Sequence, residues 1–369
     1  MKNFEAFRLL CEKHLLSNKL CLSSTKPVFI FGAGKFGRDL ADVLRKNKYE
    51  VAGFIESNPK HKEVDGLPVY SWSELSPLDK QQQIAIGIFN RMMPMDELQK
   101  LAEQAGFENI FMPWHVYEQF SNDLGWRYWL GSTGVVTNAL SNIEAVYHKL
   151  SDDLSKQCML DILTFRLGQK TTYASFKHED NQYFNALTLP SIKDDHLSFI
   201  DGGAYNGDTY LELTALTQVN KALLFEPDPN NFAQLLANVK HLQEDITCLP
   251  LAISDKYSIL SFSSDGGEGG AISLDGSQHI ATVALDDLIR NQAFNFIKLD
   301  VEGAEVDALN GASELIARCR PILAISLYHK PQDVWQIPEV INSLCKDYRL
   351  YIRQHYFNSF DSVLYAIPA

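Results

Sequence analysis

The fold is decided by the stretch Phe199-Ile200-Asp201-Gly202-Gly203-Ala204-Tyr205-Asn206-Gly207-Asp208-Thr209. An apolar run ends in an acid, and glycines then lead into a helical stretch, which is typical of a strand, a tight turn and a helix in a parallel sheet. Because Asp201 precedes the glycines, a pyrophosphate would be repelled here, whereas a cationic ligand would be attracted. The motif therefore predicts a site for a cationic ligand at the carboxyl end of this strand.

A donor with this chemistry is S-adenosylmethionine, which carries a sulfonium and an ammonium group and no phosphate. Asp201 would balance the charge of the methionine end, and Gly203 and Gly207 would let the backbone approach closely. Glu226 ends the next strand, 23 residues after Gly203, where an acid suits the ribose diol. The turn after the third strand would lie near adenine. The donor-binding residues predicted in this way are Asp201, Gly203, Tyr205, Gly207, Asp208, Thr209, Glu226, Pro227, Ala252 and Ser254.

The residues around this motif alternate between strand and helix, which predicts an α/β domain with a mostly parallel sheet. The last two strands are separated by a polar and aromatic loop without a helical stretch, so we expect a hairpin and an antiparallel final strand. The candidate strands are residues 197–200, 222–225, 247–250, 294–299, 322–327, 349–353 and 362–367.

Two polar residues that follow neighbouring strands are the candidate catalytic groups. A hydroxyl acceptor needs help to lose its proton, from a base or from a metal. We predict His329 as the general base and Asp300 as the group that orients it, with a structural histidine at a strand end as the alternative. A divalent ion held by Asp300, Glu302, His329 and Asp333 is possible but not favoured, because no tight ligand spacing supports it. Arg353 and His355 would bind an anionic acceptor group or be solvated.

A second glycine motif lies near the N-terminus, where Val28-Phe-Ile-Phe is followed by Gly32-Ala-Gly34-Lys-Phe-Gly37. A strand, GxGxxG and a helix predict a Rossmann-like unit whose helix N-terminus attracts phosphate. Glu56 closes the second strand, 24 residues after Gly32, where an acid would hold ribose hydroxyls. Nucleotide or nucleotide-sugar binding at Gly32, Gly34, Gly37 and Glu56, a scaffold without a ligand, and a nicotinamide site all remain open.

Composition and charge limit the class of protein. The 369 residues include 33 basic and 46 acidic side chains, a net charge of −13, which disfavours nucleic acid and anionic membranes as partners. Six cysteines lie far apart without a metal-binding spacing, and neither a signal peptide nor a membrane span is visible, so we expect a cytoplasmic protein. The predicted organisation is a Rossmann-like domain at residues 1–115, a helical connector at 116–190 and a second Rossmann-like domain at 191–369.

Residues 197–369 resemble the FkbM-type methyltransferases. The resemblance lies in FIDGGAYNGDTY, LLFEPDPNNF, LAISD, ATVALDDL, NFIKLDVEGAEVDALNGA and SVLYAIP. It implies a seven-stranded class I methyltransferase sheet, S-adenosylmethionine as the donor, and O-methylation of a sugar, nucleotide-linked sugar or natural product. The N-terminal domain, residues 1–115, resembles the nucleotide-sugar-binding domains that precede certain bacterial sugar acetyltransferases, through GFIESNP and IAIG.

Other functions stay open at this point. One is a nicotinamide-dependent oxidoreductase that uses the N-terminal GxGxxG motif, and another is a non-catalytic nucleotide-binding protein. The partner expected on the leading hypothesis is a small-molecule acceptor, and a homo-oligomer is possible.

Overall fold

The computed structural model describes residues 3–17, 19–169, 177–192, 197–242, 245–263, 271–272 and 278–369. Within these residues the chain forms two α/β units joined by helices. The helices are α1 Phe4–Leu16, α2 Lys35–Lys46, α3 Met95–Gln104, α4 Pro113–Leu124, α5 Thr133–Thr137, α6 Leu140–Lys149, α7 Asp153–Arg166, α8 Asp208–Leu216, α9 Pro229–Val239, α10 Leu285–Ile289, α11 Glu305–Asn310, α12 Ser313–Cys319 and α13 Asp333–Leu344. The strands are β1 Val28–Phe31, β2 Val51–Ile55, β3 Glu63–Val64, β4 Leu67–Tyr70, β5 Gln83–Ile86, β6 Asn109–Phe111, β7 Leu197–Gly202, β8 Val219–Phe225, β9 Asp245–Leu249, β10 Ala252–Ile253, β11 Ser258–Ser263, β12 Ala271–Ile272, β13 Gln278–Val283, β14 Phe296–Leu299, β15 Ile322–Ser326, β16 Tyr348–Gln354 and β17 Ser362–Pro368.

The N-terminal unit contains a sheet in the order β3-β4-β2-β1-β5-β6 among the described residues. Its pairs are parallel except β3 with β4. Helix α2 follows β1 and buries Phe36, Leu40 and Leu44, which recur every four residues on one face. This is the Rossmann-like unit that the N-terminal glycine motif predicts.

The C-terminal sheet has the order β16-β17-β15-β14-β7-β8-β9 across the described part of the chain. The final strand, β17, pairs antiparallel with both β15 and β16, which confirms the predicted hairpin. In the parallel centre, Leu299 of β14 pairs with Gly202 of β7, which in turn pairs with Phe225 of β8. Because these strands end in register, the loops after them meet at one edge, where open α/β sheets bind ligands.

The start of helix α7 and the residues just before it cover the edge strand β16 of the C-terminal sheet. The hydroxyls of Ser151 and Ser155 accept hydrogen bonds from the backbone amides of Leu350 and Ile352, at 2.9 and 3.0 Å. An exposed strand edge with unpaired amides invites aggregation, so these bonds protect it. Every residue of α7 from Cys158 to Arg166 is buried, whereas Leu154 in its first turn is 42% exposed.

Aromatic side chains hold the two units together. The ring of Phe89, which follows β5, lies 5.1 Å from that of Phe360 and 5.2 Å from that of Trp129. Tyr128 contacts Phe360 from the other side at 5.3 Å. These residues belong to one buried cluster that extends through both units. The carboxyl edge of the N-terminal sheet, where Phe89 lies, therefore packs directly on the loop between β16 and β17.

That loop has an unusual backbone. Asn358, Ser359 and Asp361 have φ values of 58°, 61° and 52°, and each is at most 1% exposed. Left-handed conformations cost free energy for non-glycine residues and persist where surrounding contacts enforce them. The side chain of Asn358 supplies several of these contacts: its Nδ2 donates to the carbonyls of Asn90 and Met93 at 2.7 and 2.6 Å, and its Oδ1 accepts from the Met95 amide at 2.9 Å.

We expect Asn358→Ala to lower the free energy of unfolding by about 2–4 kcal/mol, because it leaves buried backbone groups without partners. Asn142→Ala is the matched control, since its amide bonds to Glu339 on the exposed surface at 2.8 Å. Its loss should cost about 0.5 kcal/mol or less. Urea denaturation measures both values, and equal effects would contradict the structural role of Asn358.

Candidate active site

A cavity of about 820 Å³ opens at the carboxyl edge of the C-terminal sheet. One wall consists of the turns after β7 and β8, and another of the segment 177–183 and the loop 355–361. Apolar side chains of Leu251, Ile253 and Ile280 complete the lining beside the first wall. The cavity is large enough for a drug-sized ligand, and it lies where the glycine motif of β7 predicts a site.

Glu226 is the best-defined group of the first wall. It follows β8, is 6% exposed, and its two carboxylate oxygens accept hydrogen bonds from the amides of Tyr205 and Asp228 at 2.8 and 2.9 Å. Burial raises the pKa of Glu226 to about 7, although both amide hydrogen bonds oppose the shift. These bonds fix the carboxylate in one orientation. A fixed, buried acceptor at the cavity wall suits a ligand that offers hydroxyl groups.

Asp201, which the sequence predicts as a donor-binding residue, lies beneath the cavity surface. It is fully buried and is not among the lining residues, and Lys298 of β14 lies 2.9 Å from its carboxylate. Burial raises the pKa of Asp201 to about 6. Burial lowers the pKa of Lys298, but Asp201 and Asp300 outweigh it and raise the net value. Lys298 also donates to the carbonyl of Gly203 at 2.6 Å and itself lines the cavity, so the ion pair holds the glycine turn in place.

Most of the other predicted donor-binding residues do line the cavity. They are Gly203, Tyr205, Asp208, Thr209, Glu226, Pro227 and Ala252. Gly203 has φ of 76°, and a Cβ there would lie 1.9 Å from the carbonyl oxygen of Asp300, so the position needs glycine. Gly207 and Ser254 are not among the lining residues: Gly207 precedes α8 as its N-cap, and Ser254 is 8% exposed beside β10.

Asp300 reaches the cavity at the end of β14. Its carboxylate accepts hydrogen bonds from the hydroxyls of Tyr183 and Tyr328, each at 3.0 Å. Burial raises the pKa of Asp300, but His329 and Lys298 more than compensate and hold it below its usual value. Asp300 is therefore an ionised carboxylate with a fixed orientation that faces the space where a ligand binds.

His329 lies behind Asp300, fully buried and outside the cavity lining. Its Nδ1 is 2.8 Å from Glu305, and its Nε2 is 3.4 Å from Asp300 and 3.5 Å from Glu302. Burial lowers the pKa of His329, but Glu305 and Glu302 outweigh it and raise the value to about 10. The histidine is thus held as a cation at neutral pH. This geometry argues against the general-base role predicted from sequence, because a protonated, enclosed imidazole cannot accept a proton from a ligand.

The same cluster was the metal alternative. Ligand atoms of Asp300, Glu305 and His329 lie within 4.8 Å of one another. Of the four residues predicted from sequence as metal ligands, Asp333 has another partner: its carboxylate accepts a hydrogen bond from the Lys330 amide at 2.7 Å. Since Nδ1 of His329 already contacts Glu305 and the imidazole balances the surrounding carboxylates, the cluster is explained as a buried ion-pair network.

The N-terminal glycine motif is mainly a packing device in this structure. A Cβ on Gly37 would lie 2.0 Å from the carbonyl oxygen of Gly32, so α2 and β1 approach too closely for any side chain. A Cβ on Gly34 would meet nothing within 4 Å. Glu56 follows β2 at the same sheet edge, and its backbone amide bonds to Tyr70. The motif leaves one open position beside the start of α2, and a ligand there stays a prediction.

Several residues of the second wall were not predicted from sequence, since they belong to no local motif. They are Arg91, Lys177, His178, Gln182 and Asp361. Of the two residues suggested for an anionic acceptor, Arg353 is 6% exposed and is tied to Asp152 of the α7 N-terminus at 2.6 Å. His355 does line the cavity, but it is 5% exposed, and burial lowers its pKa to about 4.

Comparisons with known proteins agree with both halves of this description. Residues 201–358 match the methyltransferase FkbM domain family, and residues 27–91 match the PglD N-terminal domain family. A crystal structure of methyltransferase FkbM from Methylobacillus flagellatus KT aligns with 98% of this chain and 99% of that chain, at a TM-score of 0.79 and 20% identity. A second solved structure, described as a pericyclic reaction enzyme, covers 99% of each chain at 10% identity and a TM-score of 0.32, which is too low to indicate a shared fold. No curated protein matches the sequence significantly.

Residues 201–358, which supply much of the cavity lining, are thus similar to the methyltransferase FkbM domain, and residues 27–91 to the PglD N-terminal domain. The alignment with the Methylobacillus protein covers both units and confirms the α/β fold. Among the described residues, no helix is long and apolar enough to cross a membrane.

Proposed function

We propose that this protein is an S-adenosylmethionine-dependent O-methyltransferase that acts on a hydroxyl group of a sugar or nucleotide-linked sugar. The observation that supports the donor is the first cavity wall. Glu226 presents a fixed carboxylate for the ribose diol, and Leu251, Ile253 and Ile280 offer an apolar surface for adenine. Further carboxylates of Asp208 and Glu212 line the same wall and favour a cationic ligand over a phosphate.

When bound, S-adenosylmethionine supplies a methyl group on a sulfonium, so that transfer breaks a carbon–sulfur bond and forms a carbon–oxygen bond. The chain's own contribution is to receive the proton that the acceptor hydroxyl loses. We assign this to Asp300, the ionised group at the cavity surface. Once the new bond forms, the acceptor oxygen is far more acidic than a carboxylic acid, so a carboxylate is basic enough.

The surrounding side chains orient this carboxylate. Tyr183 and Tyr328 each donate a hydroxyl hydrogen bond to Asp300, and the cationic His329 lies behind it. We therefore propose His329 as a positioning residue that keeps Asp300 ionised and correctly oriented. The order of the two roles is the reverse of the one inferred from sequence.

The space beside Gly34, at the start of α2 in the N-terminal unit, supports a nucleotide-linked sugar as the acceptor, because no atom would lie within 4 Å of a Cβ there. We propose that Gly32, Gly34, Gly37 and Glu56 form the edge at which a nucleotide portion of the acceptor would bind. Binding of UDP-sugars, measured by calorimetry and lost in Gly34→Val, tests this part separately from the donor site.

Donor binding should depend on the ionisation of Glu226. With a pKa of about 7, the carboxyl group is protonated below that pH and loses its capacity to accept both ribose hydroxyls. We expect the Kd for S-adenosylhomocysteine to rise about tenfold between pH 8 and pH 6, because the ionised fraction of Glu226 falls about tenfold over that range. Glu226→Gln should weaken binding at pH 8 by a similar factor and remove the pH dependence.

Isothermal titration calorimetry measures this, with Glu314→Gln as the control, because Glu314 is exposed in the first turn of α12. Unchanged affinity in Glu226→Gln would contradict the proposed donor site. Binding of NADH in place of S-adenosylhomocysteine would move the function to the N-terminal glycine motif.

A further inference from the structure

The second wall of the cavity contains a contribution from the other unit of the protein. Arg91 belongs to the loop after β5 of the N-terminal sheet, yet it lines the cavity of the C-terminal unit. Its guanidinium lies 3.4 Å from the carboxylate of Asp361, and its side chain is 35% exposed. The ion pair holds Arg91 at the wall and leaves it accessible from the cavity.

A second cation is placed on the same wall. The Lys177 ammonium lies 6.0 Å from the centre of the Tyr356 ring, and the Arg91 guanidinium lies 5.3 Å from the centre of that ring. Lys177 also lies 4.8 Å from the centre of Phe357. Cations against aromatic rings are partly desolvated and oriented, which makes them stronger partners for an anion than freely solvated ones.

Buried hydrogen bonds fix the side chains of this wall in place. Asn358 fastens the Arg91 loop to the C-terminal unit through the carbonyls of Asn90 and Met93. Gln182 links Asp361, the partner of Arg91, to the hydroxyl of Tyr183, at 3.5 and 3.0 Å. Tyr183 in turn donates to Asp300. A group bound at Arg91 therefore lies on the wall that also carries the proposed proton acceptor.

The charge on this wall differs from that on the donor wall. Asp208, Glu212 and Glu226 line the donor wall, whereas Arg91 and Lys177 project at the second. The second wall also carries acids: Glu179 and Asp180 are exposed, and Asp361 is buried and pairs with Arg91. What distinguishes the second wall is that two cations, Arg91 and Lys177, are held there against the same aromatic ring.

We propose that the acceptor carries an anionic oxyacid group, a phosphate or a carboxylate, which Arg91 and Lys177 bind, so that the N-terminal unit selects the substrate of the C-terminal one. This inference rests on the proposed methyl-transfer function and specifies the class of its acceptor. Arg91 is suited to the task because a guanidinium offers paired N–H donors that match phosphate and carboxylate oxygens. Arg91 and Lys177 belong to the second wall and Glu226 to the first, so the proposed anion binding and donor binding use different side chains.

The test titrates the full-length protein, saturated with S-adenosylhomocysteine, with glucose, glucose 1-phosphate, glucuronate and inorganic phosphate by calorimetry. We expect at least one anionic sugar to bind at least tenfold more tightly than glucose. The relative affinities of glucose 1-phosphate and glucuronate distinguish a phosphate from a carboxylate. Arg91→Gln and Lys177→Gln should each weaken the anionic sugar about tenfold to a hundredfold, and Arg91→Lys should retain part of the affinity.

The control is Arg45→Gln, which removes an exposed arginine of the same unit that bonds to the carbonyl of Asp65. It should change neither affinity. Equal affinity for glucose and the anionic sugars, an unaffected Arg91→Gln, or no binding of any anionic probe would overturn the inference. A parallel titration with S-adenosylhomocysteine alone reports on the donor site. If the wild-type protein does not bind S-adenosylhomocysteine, the proposed methyl-transfer function fails. If Arg91→Gln binds S-adenosylhomocysteine normally, its effect on the anionic sugar bears on the acceptor inference alone.

Discussion

Lys298→Met is expected to destabilise the protein by about 3–5 kcal/mol, because it removes the counter-charge of a carboxylate that has no access to water. Asp201 is fully buried and lies 2.9 Å from the Lys298 ammonium. Methionine fills a similar volume, so the loss is electrostatic rather than a packing defect. The glycine turn at Gly203 also loses its hydrogen bond from Lys298, and donor affinity should fall with stability.

The pH dependence of this variant has a definite sign. The pKa of Asp201 is about 6 with Lys298 present, and without the ammonium it rises further. A carboxyl group whose folded pKa is raised is least harmful when it is protonated. The deficit relative to wild type should therefore be largest above pH 7 and shrink as the pH falls toward 5.

Urea denaturation at pH 5 and pH 8 measures both effects. The double variant Asp201→Asn with Lys298→Met should recover much of the lost free energy, because it removes the uncompensated charge. Lys100→Met is the matched control: Lys100 pairs with Asp96 at a similar 3.0 Å, but its side chain is 61% exposed. Its effect should be about 0.5 kcal/mol or less. Equal losses in the two lysine variants would contradict the account.

Many of the strands, and the acidic residues at their ends, could be predicted from sequence because they depend on local pattern. The apolar runs at 28–31 and 51–55 coincide with β1 and β2, and the hairpin of β16 and β17 followed from the absence of a helical stretch between them. Acids at strand ends are also local signals, and Glu226 and Asp300 do face the cavity. Short strands such as β3 and β10, two residues each, carry too few residues to show a period.

What the sequence did not reveal is which side chains converge. Asp201 lies within β7, opposite Leu224, whereas Glu226 follows the end of β8. Only Glu226 lines the cavity, and Lys298 of the adjacent β14 pairs with the buried Asp201. Arg353 looked available for a ligand until α7 placed Asp152 against it. These partners are separated by 97 and 201 residues, and no pattern within a window of sequence relates them.

The distinction between His329 and Asp300 has the same origin. Both are polar residues after neighbouring strands, and histidine is the more frequent general base, so sequence favoured it. The carboxylates of Glu305 and Glu302 decide otherwise, since they outweigh burial, make the histidine a cation and leave Asp300 as the ionised group at the cavity surface. Charge networks of this kind arise only when several distant segments fold together.

Asp300→Asn should lower kcat about 10²- to 10⁴-fold, the usual contribution of a group that accepts a proton in the transition state. The amide has the same shape and can still accept a hydrogen bond from Tyr183, so the fold and donor affinity should be retained. Asp307→Asn is the matched control, because Asp307 is exposed on α11 and does not line the cavity. Its kcat should stay close to wild type.

His329→Gln separates the positioning role from the catalytic one. Glutamine keeps a hydrogen-bonding side chain near Asp300 but removes the positive charge that lowers its pKa. The kcat should fall less than in Asp300→Asn, and the acidic limb of the kcat–pH profile should move to higher pH, because Asp300 then protonates more readily. Release of S-adenosylhomocysteine, followed with the acceptor that a screen of sugars and nucleotide sugars identifies, measures both variants. A normal kcat in Asp300→Asn, or a kcat–pH profile of His329→Gln that does not move, would contradict the assignment, since a purely structural histidine has no reason to shift the ionisation on which turnover depends.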